Sequence, residues 1–390
     1  MSKVYITVRQ APRYSQMTLE DFLFEVETKP QIIINPNTSN TKTYEVNYIS
    51  PRLSQLFDIG ELIDKLEEFN RTYAALREKP RAELYHSFSI PKKSGGFRHI
   101  DAPLPELMNA LRTLKTIFES DFKALYHTSA FAYVKHRCTV DAVKKHQKNG
   151  SNWFGKYDLS NFFGSTTPDY VLNMFSMVYP FSEVVKSRRG KDALIKALDL
   201  AFLNGGLPQG TPISPLITNI MMIPVDFKLA KGFRDLNGQT FVYTRYADDF
   251  LVSSRQEFDF REVERFIISV LREFYAPFTI NSAKTRYGSK EGRNWNLGLM
   301  LNSNGDITVG YKKKKQFQCA LSNYIMDKKN GVSWDKNDVQ VLEGLRNYYR
   351  MVEGETIDKI VEHIANKFSV ETVTGKNGLN LKMIKEDLRA

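Results

Sequence analysis

The spacing of apolar and polar residues along the chain predicts alternating strands and helices. From Phe258 to Tyr275 apolar side chains recur at helical spacing, which predicts an amphipathic helix. Shorter runs rich in β-branched and aromatic residues, bounded by turn residues, predict strands. Strands are predicted at 88–91, 97–100, 153–159, 241–245, 250–254, 277–281 and 295–301, and helices at 59–76, 105–122, 168–178, 191–203, 214–230 and 258–275.

Residues 311–390 have a helical pattern throughout. Leu342, Leu345, Tyr349 and Val352 share one helical face, and a second apolar face follows further along the chain. The second face consists of Ile357, Ile360, Val361, Ile364 and Phe368. The chain order is therefore a mixed α/β body followed by a small α-helical domain.

The chain is basic enough to favour a polyanionic partner. Its 390 residues contain 55 Lys and Arg against 44 Asp and Glu, which gives a formal net charge of +11. Such a surplus favours nucleic acid, although ordinary solubility charge is the alternative. The length is enough for two or three domains, and a hydrophobic content of 42% predicts that most of the chain is globular.

The cysteines and the chain start bear on the cellular setting. The only cysteines are Cys138 and Cys319, so the sequence predicts neither a Cys-rich zinc site nor a disulfide framework. The first five residues have no apolar signal core, and no apolar run approaches membrane-spanning length. A cytoplasmic protein without a membrane partner is therefore expected.

Two adjacent carboxylates mark the tip of a predicted hairpin. Asp248 and Asp249 end the sequence Tyr246-Ala247-Asp248-Asp249, which separates the predicted strands 241–245 and 250–254. Neighbouring carboxylates repel each other and disfavour a strand, and a divalent cation would remove that penalty. Mg²⁺ is commonly held by one or two carboxylates together with substrate phosphates. Plain turn chemistry is the alternative for Asp-Asp taken alone.

A third carboxylate, Asp158, ends the predicted strand 153–159. If this strand lies beside the 241–254 hairpin, Asp158 converges with Asp248 and Asp249. Three carboxylates could hold two Mg²⁺ ions roughly 3.5–4 Å apart, as in two-metal phosphoryl transfer. One ion would activate a primer 3′-hydroxyl and the other would stabilise a leaving pyrophosphate. The alternative for Asp158 alone is a solvated or salt-bridged aspartate.

Three motifs, in their order along the chain, resemble those of bacterial reverse transcriptases of the group II intron and retron type. They are Tyr157–Phe163, Gly206–Leu216 and Tyr246–Asp249, and the similarity runs from about Phe88 to at least Asn302. The resemblance implies an α+β right-hand polymerase with fingers, a palm of antiparallel sheet backed by helices, and an α-helical thumb. The implied domains are a 1–80 extension, fingers and palm at 81–310, and thumb with C-terminal tail at 311–390.

The resemblance also implies a nucleotide site. Arg98 would hold the triphosphate, because a guanidinium binds phosphate bidentately. Lys92 or Lys93 would help, with a solvated turn as the alternative. Phe163 would lie against the sugar and select dNTP over rNTP, unless it is a core residue. The resemblance also places Leu159, Gln209 and Gly210 near the nucleotide and the nascent base pair. Lys284 would act as a general acid near the pyrophosphate, and the alternative is that it is only a surface lysine.

Primer and template contacts are implied further along the chain. Leu297 and Gly298 lie in the motif that matches the family's primer-gripping hairpin. Four adjacent lysines begin the thumb that the resemblance implies. They could neutralise backbone phosphates, or they could form a solvated face. These lysines are Lys312, Lys313, Lys314 and Lys315.

Sequence motifs that are typical of particular reverse transcriptase subfamilies are altered in this chain. Ala130-Phe131-Ala132-Tyr133 stands where the family commonly has a Gly-Phe pair. Asp141–His146 departs from the retron Asn-Ala-x-x-His signature by Asp for Asn and one extra residue. Gln209-Gly210 argues against the diversity-generating enzymes. A compact stand-alone enzyme of the antiphage or atypical retron type fits these marks.

The predicted function is RNA-directed DNA synthesis. The predicted cofactor is Mg²⁺, as two ions, with Mn²⁺ as a substitute. The expected partners are dNTPs, an RNA template expected to be non-coding, the DNA product, and either a protein partner or a second copy of the chain. The alternatives are untemplated or protein-primed DNA synthesis at the same site, and a non-catalytic RNA-binding scaffold.

Overall fold

The computed structural model describes residues 58–92, 95–121, 126–291 and 297–389, together with four short strands before residue 50. The strands are β1 Glu25–Thr28, β2 Ile32–Ile33, β3 Lys42–Thr43, β4 Val46–Ile49, β5 Tyr85–Pro91, β6 Phe97–Pro103, β7 Trp153–Asp158, β8 Phe241–Tyr246, β9 Asp249–Ser254, β10 Arg286–Ser289, β11 Met300–Leu301, β12 Ile307–Thr308, β13 Thr372–Gly375 and β14 Gly378–Leu381.

Fourteen α-helices are described in the same ranges. They are α1 Ile59–Thr72, α2 Ala74–Glu78, α3 Pro105–Thr116, α4 Thr139–Lys148, α5 Phe162–Ser165, α6 Pro168–Phe175, α7 Phe181–Val184, α8 Arg188–Asp199, α9 Ser214–Met221, α10 Ile223–Asp235, α11 Phe260–Glu273, α12 Tyr311–Lys329, α13 Lys336–Phe368 and α14 Lys382–Arg389. Short 3₁₀ turns lie at Arg81–Leu84 and Leu236–Gly238, and α3 continues into a π-helical turn at Ile117–Asp121.

The chain divides into two compact units. The first takes in the described residues up to Arg137, with Gly155–Val252 and Phe258–Tyr287. The second takes in Cys138–Phe154, Ser253–Glu257 and the described residues from Gly288 onward. The domain boundaries predicted at residues 80 and 310 stay predictions, and most of the predicted 1–80 extension lies outside the described residues.

A four-stranded sheet in the order β10-β7-β9-β8 carries the predicted carboxylates. A two-residue turn joins β8 to β9, so these strands are antiparallel. At the two ends of the β7–β9 pair, the Asn152 N–H donates to the Ser254 carbonyl at 2.9 Å and the Leu159 N–H donates to the Asp248 carbonyl at 3.0 Å. This pairing is antiparallel as well. The predicted α+β class, with an antiparallel sheet and helices against it, is confirmed.

Two amphipathic helices back this sheet. Helix α10 packs on β8, and the Phe233 ring lies 5.7 Å from Tyr243 and 5.1 Å from Phe266 of α11. Gly232 permits the close approach of α10 and α11, because a Cβ there would lie 2.1 Å from the Phe266 ring. The apolar face predicted for 258–275 is buried as α11, through Val263, Ile267, Val270 and Leu271.

Another group of helices in the first unit packs around α1. Helix α1 packs on α8 and α3, with Leu62, Leu66 and Phe69 buried, as its helical periodicity predicts. The β5–β6 hairpin pairs from Tyr85 with Pro103 to Pro91 with Phe97. Both predicted strands of that hairpin are therefore present and are longer than predicted.

The structure differs from several predicted elements. Of the described residues in the strand predicted at 295–301, only Met300–Leu301 form a strand, because Leu297 and Gly298 lie in a turn. Residues 277–281 form only an isolated bridge at Ile280, because Pro277 offers no backbone donor. The helix predicted at 214–230 is two helices, and Pro224 lies in the first turn of the second, where proline is tolerated. The end of the chain is not wholly helical, since β13 and β14 form a hairpin there.

In the second unit, α12 packs on α13 and α13 packs on β14. Arg346 is buried, binds the Glu343 carboxylate at 2.9 Å and donates to the carbonyls of Asn377 and Leu379. Helix α13 bends at Glu353, whose φ of −135° is outside the helical range. Among the described residues, no helix is long and apolar enough to cross a membrane.

Candidate active site

The three predicted carboxylates meet at one end of the sheet. Asp158 ends β7, and Asp248 and Asp249 lie at the turn between β8 and β9. Besides the Leu159–Asp248 backbone bond, the Asn281 N–H donates to the Asp158 carbonyl at 2.8 Å. Asp158 is only 5% exposed. The convergence predicted for the three aspartates is therefore present in the first unit.

The turn that carries Asp248 has an unusual backbone. Ala247 has φ +57°, a left-handed conformation that residues with a Cβ seldom adopt. The Arg245 guanidinium donates to the Ala247 carbonyl at 3.3 Å. Such strain persists where surrounding contacts hold it, and it is common at functional sites.

Two lysines bind the carboxylates. Lys284 Nζ lies 2.8 Å from Asp158 Oδ1, and Lys156 Nζ lies 2.8 Å from Asp249 Oδ2. The other Asp249 oxygen, Oδ1, is buried and receives no hydrogen bond from any donor in the described part of the chain. One Asp249 carboxylate oxygen is therefore buried without a hydrogen-bond donor.

Burial and mutual repulsion perturb the carboxylates. Burial raises the pKa of Asp248, and the neighbouring Asp249 and Asp158 raise it further. Burial also raises the pKa of Asp249; the ion pair with Lys156 opposes this rise, and the Asp158 carboxylate adds to it. The pKa of Lys284 is raised, chiefly by its hydrogen bond to Asp158. Removing a proton from either aspartate at the turn thus concentrates negative charge that a cation would neutralise.

A buried ion pair behind the turn was not predicted. Arg245 is 1% exposed and binds both Asp226 oxygens, with contacts between 2.7 and 3.1 Å. The Tyr243 hydroxyl donates to the same carboxylate at 2.8 Å, and Arg245 also donates to Asn219 at 3.2 Å. A charged residue inside the apolar run 241–245 was the available signal. Its partner Asp226, on α10, could not be identified from the local spacing of residues.

A cleft of about 470 Å³ is lined by Asp248, whereas Asp158, Asp249 and Gly210 are not among its lining residues. It brings together residues from five separate parts of the sequence that were predicted to act on a nucleotide. They are Lys92, Arg98, Leu159, Phe163, Gln209, Asp248 and Lys284. Lys93 lies outside the described residues.

The loop around Gln209 passes close to the backbone at Gly164 and at Asp101. A Cβ on Gly206 would lie 2.2 Å from the Gly164 carbonyl oxygen, and one on Gly210 would lie 2.9 Å from the Asp101 carbonyl oxygen. Gly210 also has φ +121°, which favours glycine. The Asp101 N–H donates to the Gln209 carbonyl at 2.8 Å. Both glycines are therefore required by close backbone approach, and Gln209 is fixed against β6.

Several cleft residues were missed. Tyr133 lines the cleft with φ +61° and is 54% exposed, in the segment where the family commonly has Gly-Phe. The other unpredicted lining residues are Ser160, Asn161, Phe162 and Asn281. Most are neighbours of predicted residues, so proximity in sequence was the only signal.

The residues predicted to contact primer and template lie in the second unit. Leu297 and Gly298 form a turn before β11, and Lys313 Nζ donates to the Gly298 carbonyl at 2.5 Å. Lys314 binds Glu353 at 2.7 Å. The other two lysines of the run, Lys312 and Lys315, are exposed. Their role stays a prediction.

His146, at the end of the altered retron-like signature, is buried in the second unit. Its Nδ1 lies 2.6 Å from the Ser253 hydroxyl, which in turn donates to Ser151 at 2.7 Å. Burial lowers the pKa of His146 to about 3. The imidazole is therefore neutral near pH 7 and packs as a structural residue.

Acid is expected to destabilise the protein through His146. The folded-state pKa is below the unfolded value of 6.5, so the unfolded chain binds more protons between those values. The stabilisation is complete above pH 6.5 and decreases as pH falls, by up to about 1.4 kcal/mol per pH unit. Urea unfolding at about pH 7.5 and about pH 5.5 measures it. His146→Gln should lose this pH dependence, whereas His363→Gln, at an exposed position, should keep it. Equal slopes for wild type and His146→Gln would contradict the assignment.

Three comparisons place the chain among known proteins. A family model described as "Reverse transcriptase (RNA-dependent DNA polymerase)" matches residues 90–317. The retron Ec83 reverse transcriptase of Escherichia coli is 25% identical over 315 residues, which cover 76% of this chain and 91% of that protein. The retron Mx162 reverse transcriptase of Myxococcus xanthus is 28% identical over 314 residues, covering 76% of this chain and 62% of that protein. Candida albicans telomerase in complex with a fragment of telomeric RNA has a TM-score of 0.42 and 11% identity, covering 90% of this chain and 68% of that chain.

Proposed function

We propose, from the premise that the chain belongs to the reverse transcriptase (RNA-dependent DNA polymerase) family, that it copies an RNA template into DNA at the carboxylate cleft. The observation that carries this proposal is the convergence of residues from separate motifs. Arg98, Phe163, Gln209, Asp248 and Lys284 line one cleft although they are distant in sequence. In the terms of the family, we assign the β5–β6 hairpin to the fingers, the four-stranded sheet to the palm and α12–α14 to the thumb.

The donor chemistry at the turn fits a divalent cation, although its side chains, as arranged here, do not form a metal-binding group of three within the described residues. Carboxylate oxygens are the ligands that Mg²⁺ and Mn²⁺ prefer, and Asp249 Oδ1 is a buried acceptor without a donor. Within the described residues no group of three or more His, Cys, Asp or Glu has an arrangement that would hold a metal ion, and lysines bind Asp158 and Asp249. We assign Asp158, Asp248 and Asp249 as the ligands of two Mg²⁺ ions. Bound there, the ions would supply Lewis-acid activation of a primer hydroxyl and neutralise the pyrophosphate.

The chain's own residues would bind and orient the nucleotide. Arg98 and Lys92 are exposed side chains on the hairpin side of the cleft, where they can bind triphosphate oxygens. Lys284 has an exposed ammonium beside Asp158 and can donate a proton to the leaving pyrophosphate. Gln209, whose backbone is fixed by Asp101, is assigned to the nascent base pair.

Phe163 is assigned to sugar selection. Both rings border the cleft and lie 5.6 Å apart, but Phe162 is 2% exposed and packs against Phe278, whereas Phe163 is only half-buried. Phe163→Ala is expected to improve rNTP incorporation relative to dNTP by at least about tenfold, because the wall against a 2′-hydroxyl is removed. Single-nucleotide incorporation kinetics measure the ratio, with Phe162→Leu as the packing control. An unchanged ratio would contradict the role.

We assign the template as RNA, and specifically as a cognate non-coding RNA, a proposal supported by the similarity to the retron Ec83 and Mx162 reverse transcriptases. The experiment is extension of a labelled primer by the purified chain on a heteropolymeric RNA template. Product whose sequence complements the template is expected, and product formed equally well without template would contradict the proposal. Label that stays in the phenol phase would instead indicate protein priming. The antiphage role stays a prediction.

A further inference from the structure

We propose that Lys156 is a positioning residue that holds Asp249 so that Oδ1 is presented to a divalent cation. This inference rests on the proposed function, because that function assigns Asp249 as a metal ligand. Lys156 belongs to none of the residues predicted to act on metal, nucleotide or nucleic acid.

The strand geometry places Lys156 beside the carboxylates. Lys156 and Asp158 are two residues apart on β7, so their side chains project from the same face of the sheet. Asp249 begins β9, the neighbouring strand. Lys156 Nζ therefore reaches Asp249 Oδ2 at 2.8 Å across one strand spacing. The ammonium and Asp158 lie on the same side of the sheet as the Asp249 carboxylate.

The two Asp249 oxygens have different surroundings. Oδ2 accepts the Lys156 ion pair, whereas Oδ1 is buried and receives no hydrogen bond within the described residues. A carboxylate held at one oxygen cannot rotate freely about its Cβ–Cγ bond. Lys156 thus fixes the orientation of Oδ1 and also supplies a counter-charge against repulsion by Asp158 and Asp248.

The two lysines of the site differ in mobility. Lys284 follows a turn at Asn281, and its side chain is 60% exposed. Lys156 lies within β7, between β9 and β10, and its side chain is 28% exposed. Holding the Lys156 side chain in one geometry therefore costs less additional side-chain entropy than holding the Lys284 side chain. Lys156 is the fixed partner, and Lys284 is the one that can leave its carboxylate during turnover.

The sign of the effect on cation binding separates positioning from simple charge. If Lys156 only added positive charge, its removal would make the site more negative and would tighten divalent-cation binding. If Lys156 orients Asp249, its removal weakens binding despite the more negative site. Outer-sphere partners of metal ligands typically contribute about 10–100-fold to metal affinity.

The test is Mn²⁺ binding to the purified full chain, measured from the free-ion signal by electron paramagnetic resonance. Lys156→Met is expected to weaken Mn²⁺ binding by about tenfold, and Lys156→Arg, which keeps charge and donor, should restore most of it. Lys228→Met is the matched control, because Lys228 makes an exposed ion pair with Glu273 at 3.0 Å, and its affinity should equal that of wild type.

Equal or tighter Mn²⁺ binding by Lys156→Met overturns the inference. Thermal unfolding accompanies each variant, and Lys156→Gln replaces Lys156→Met in the comparison if the methionine variant does not fold. Wild-type protein that binds no Mn²⁺ would count against the proposed metal site itself. Tight binding by both wild type and Lys156→Met would overturn the role of Lys156 alone.

Discussion

Asp248→Asn is expected to lower the rate of RNA-templated primer extension by at least about 10³-fold. Asparagine keeps the shape of the side chain and removes the negative charge that the proposed metal site requires. The backbone carbonyl of residue 248 would still accept from the Leu159 N–H, so the turn should persist. Single-turnover extension of a labelled primer at saturating Mg²⁺ and dNTP measures the rate.

Asp192→Asn is the control for this substitution. Asp192 is exposed on α8, and its nearest cationic partner is Arg188 at 3.9 Å, so its loss should leave extension unchanged. Undiminished synthesis by Asp248→Asn would contradict the metal assignment. An equal loss of primer extension in both variants would instead indicate a general loss of active protein.

Asp226→Ala is expected to lower the free energy of unfolding by about 3–5 kcal/mol. Arg245 and Asp226 are both fully buried as side chains and lie 2.7 Å apart, so the variant leaves a guanidinium in the core without its carboxylate. Tyr243 loses its hydrogen-bond acceptor in the same step. Equilibrium unfolding in urea, followed by circular dichroism, measures the change.

An exposed pair supplies the contrast for Asp226→Ala. Glu273→Ala removes the carboxylate that Lys228 binds and should cost no more than about 1 kcal/mol, because solvent screens that pair. Replacing both Arg245 and Asp226 by Met and Leu should recover much of the loss, since no charge is then buried. A cost below about 1 kcal/mol for Asp226→Ala would show that Arg245 finds another partner.

Local patterning predicted most of the sheet and its helices. The runs 241–245 and 250–254 became β8 and β9 within one residue, and the face predicted from Val263 to Leu271 is the buried face of α11. Periodicity succeeds there because one face of each element is buried in the protein. It fails at 277–281, where apolar residues pack in a loop that pairs only through Ile280.

The candidate site was predictable to the extent that its residues stand in compact motifs. Asp158, Arg98 and Phe163 each have a recognisable sequence neighbourhood, and the cleft gathers Arg98 and Phe163 beside Asp248. Lys156 and Asp226 were missed, because their importance depends on partners more than 15 residues away that local spacing does not reveal. Tyr133 was noted as a departure from a motif, and its exposure to the cleft was not predicted.

The sequence by itself determined the chemistry available at this site: adjacent carboxylates on a hairpin, a third at a strand end, basic side chains and an aromatic wall. Only the tertiary structure decided which oxygen of Asp249 is held by Lys156 and which is left without a donor, and which buried arginine holds the turn. The physical reason is that residue type and spacing set charge and secondary structure locally. Ion pairs and burial depend on distances across strands and helices that exist only once the chain is folded.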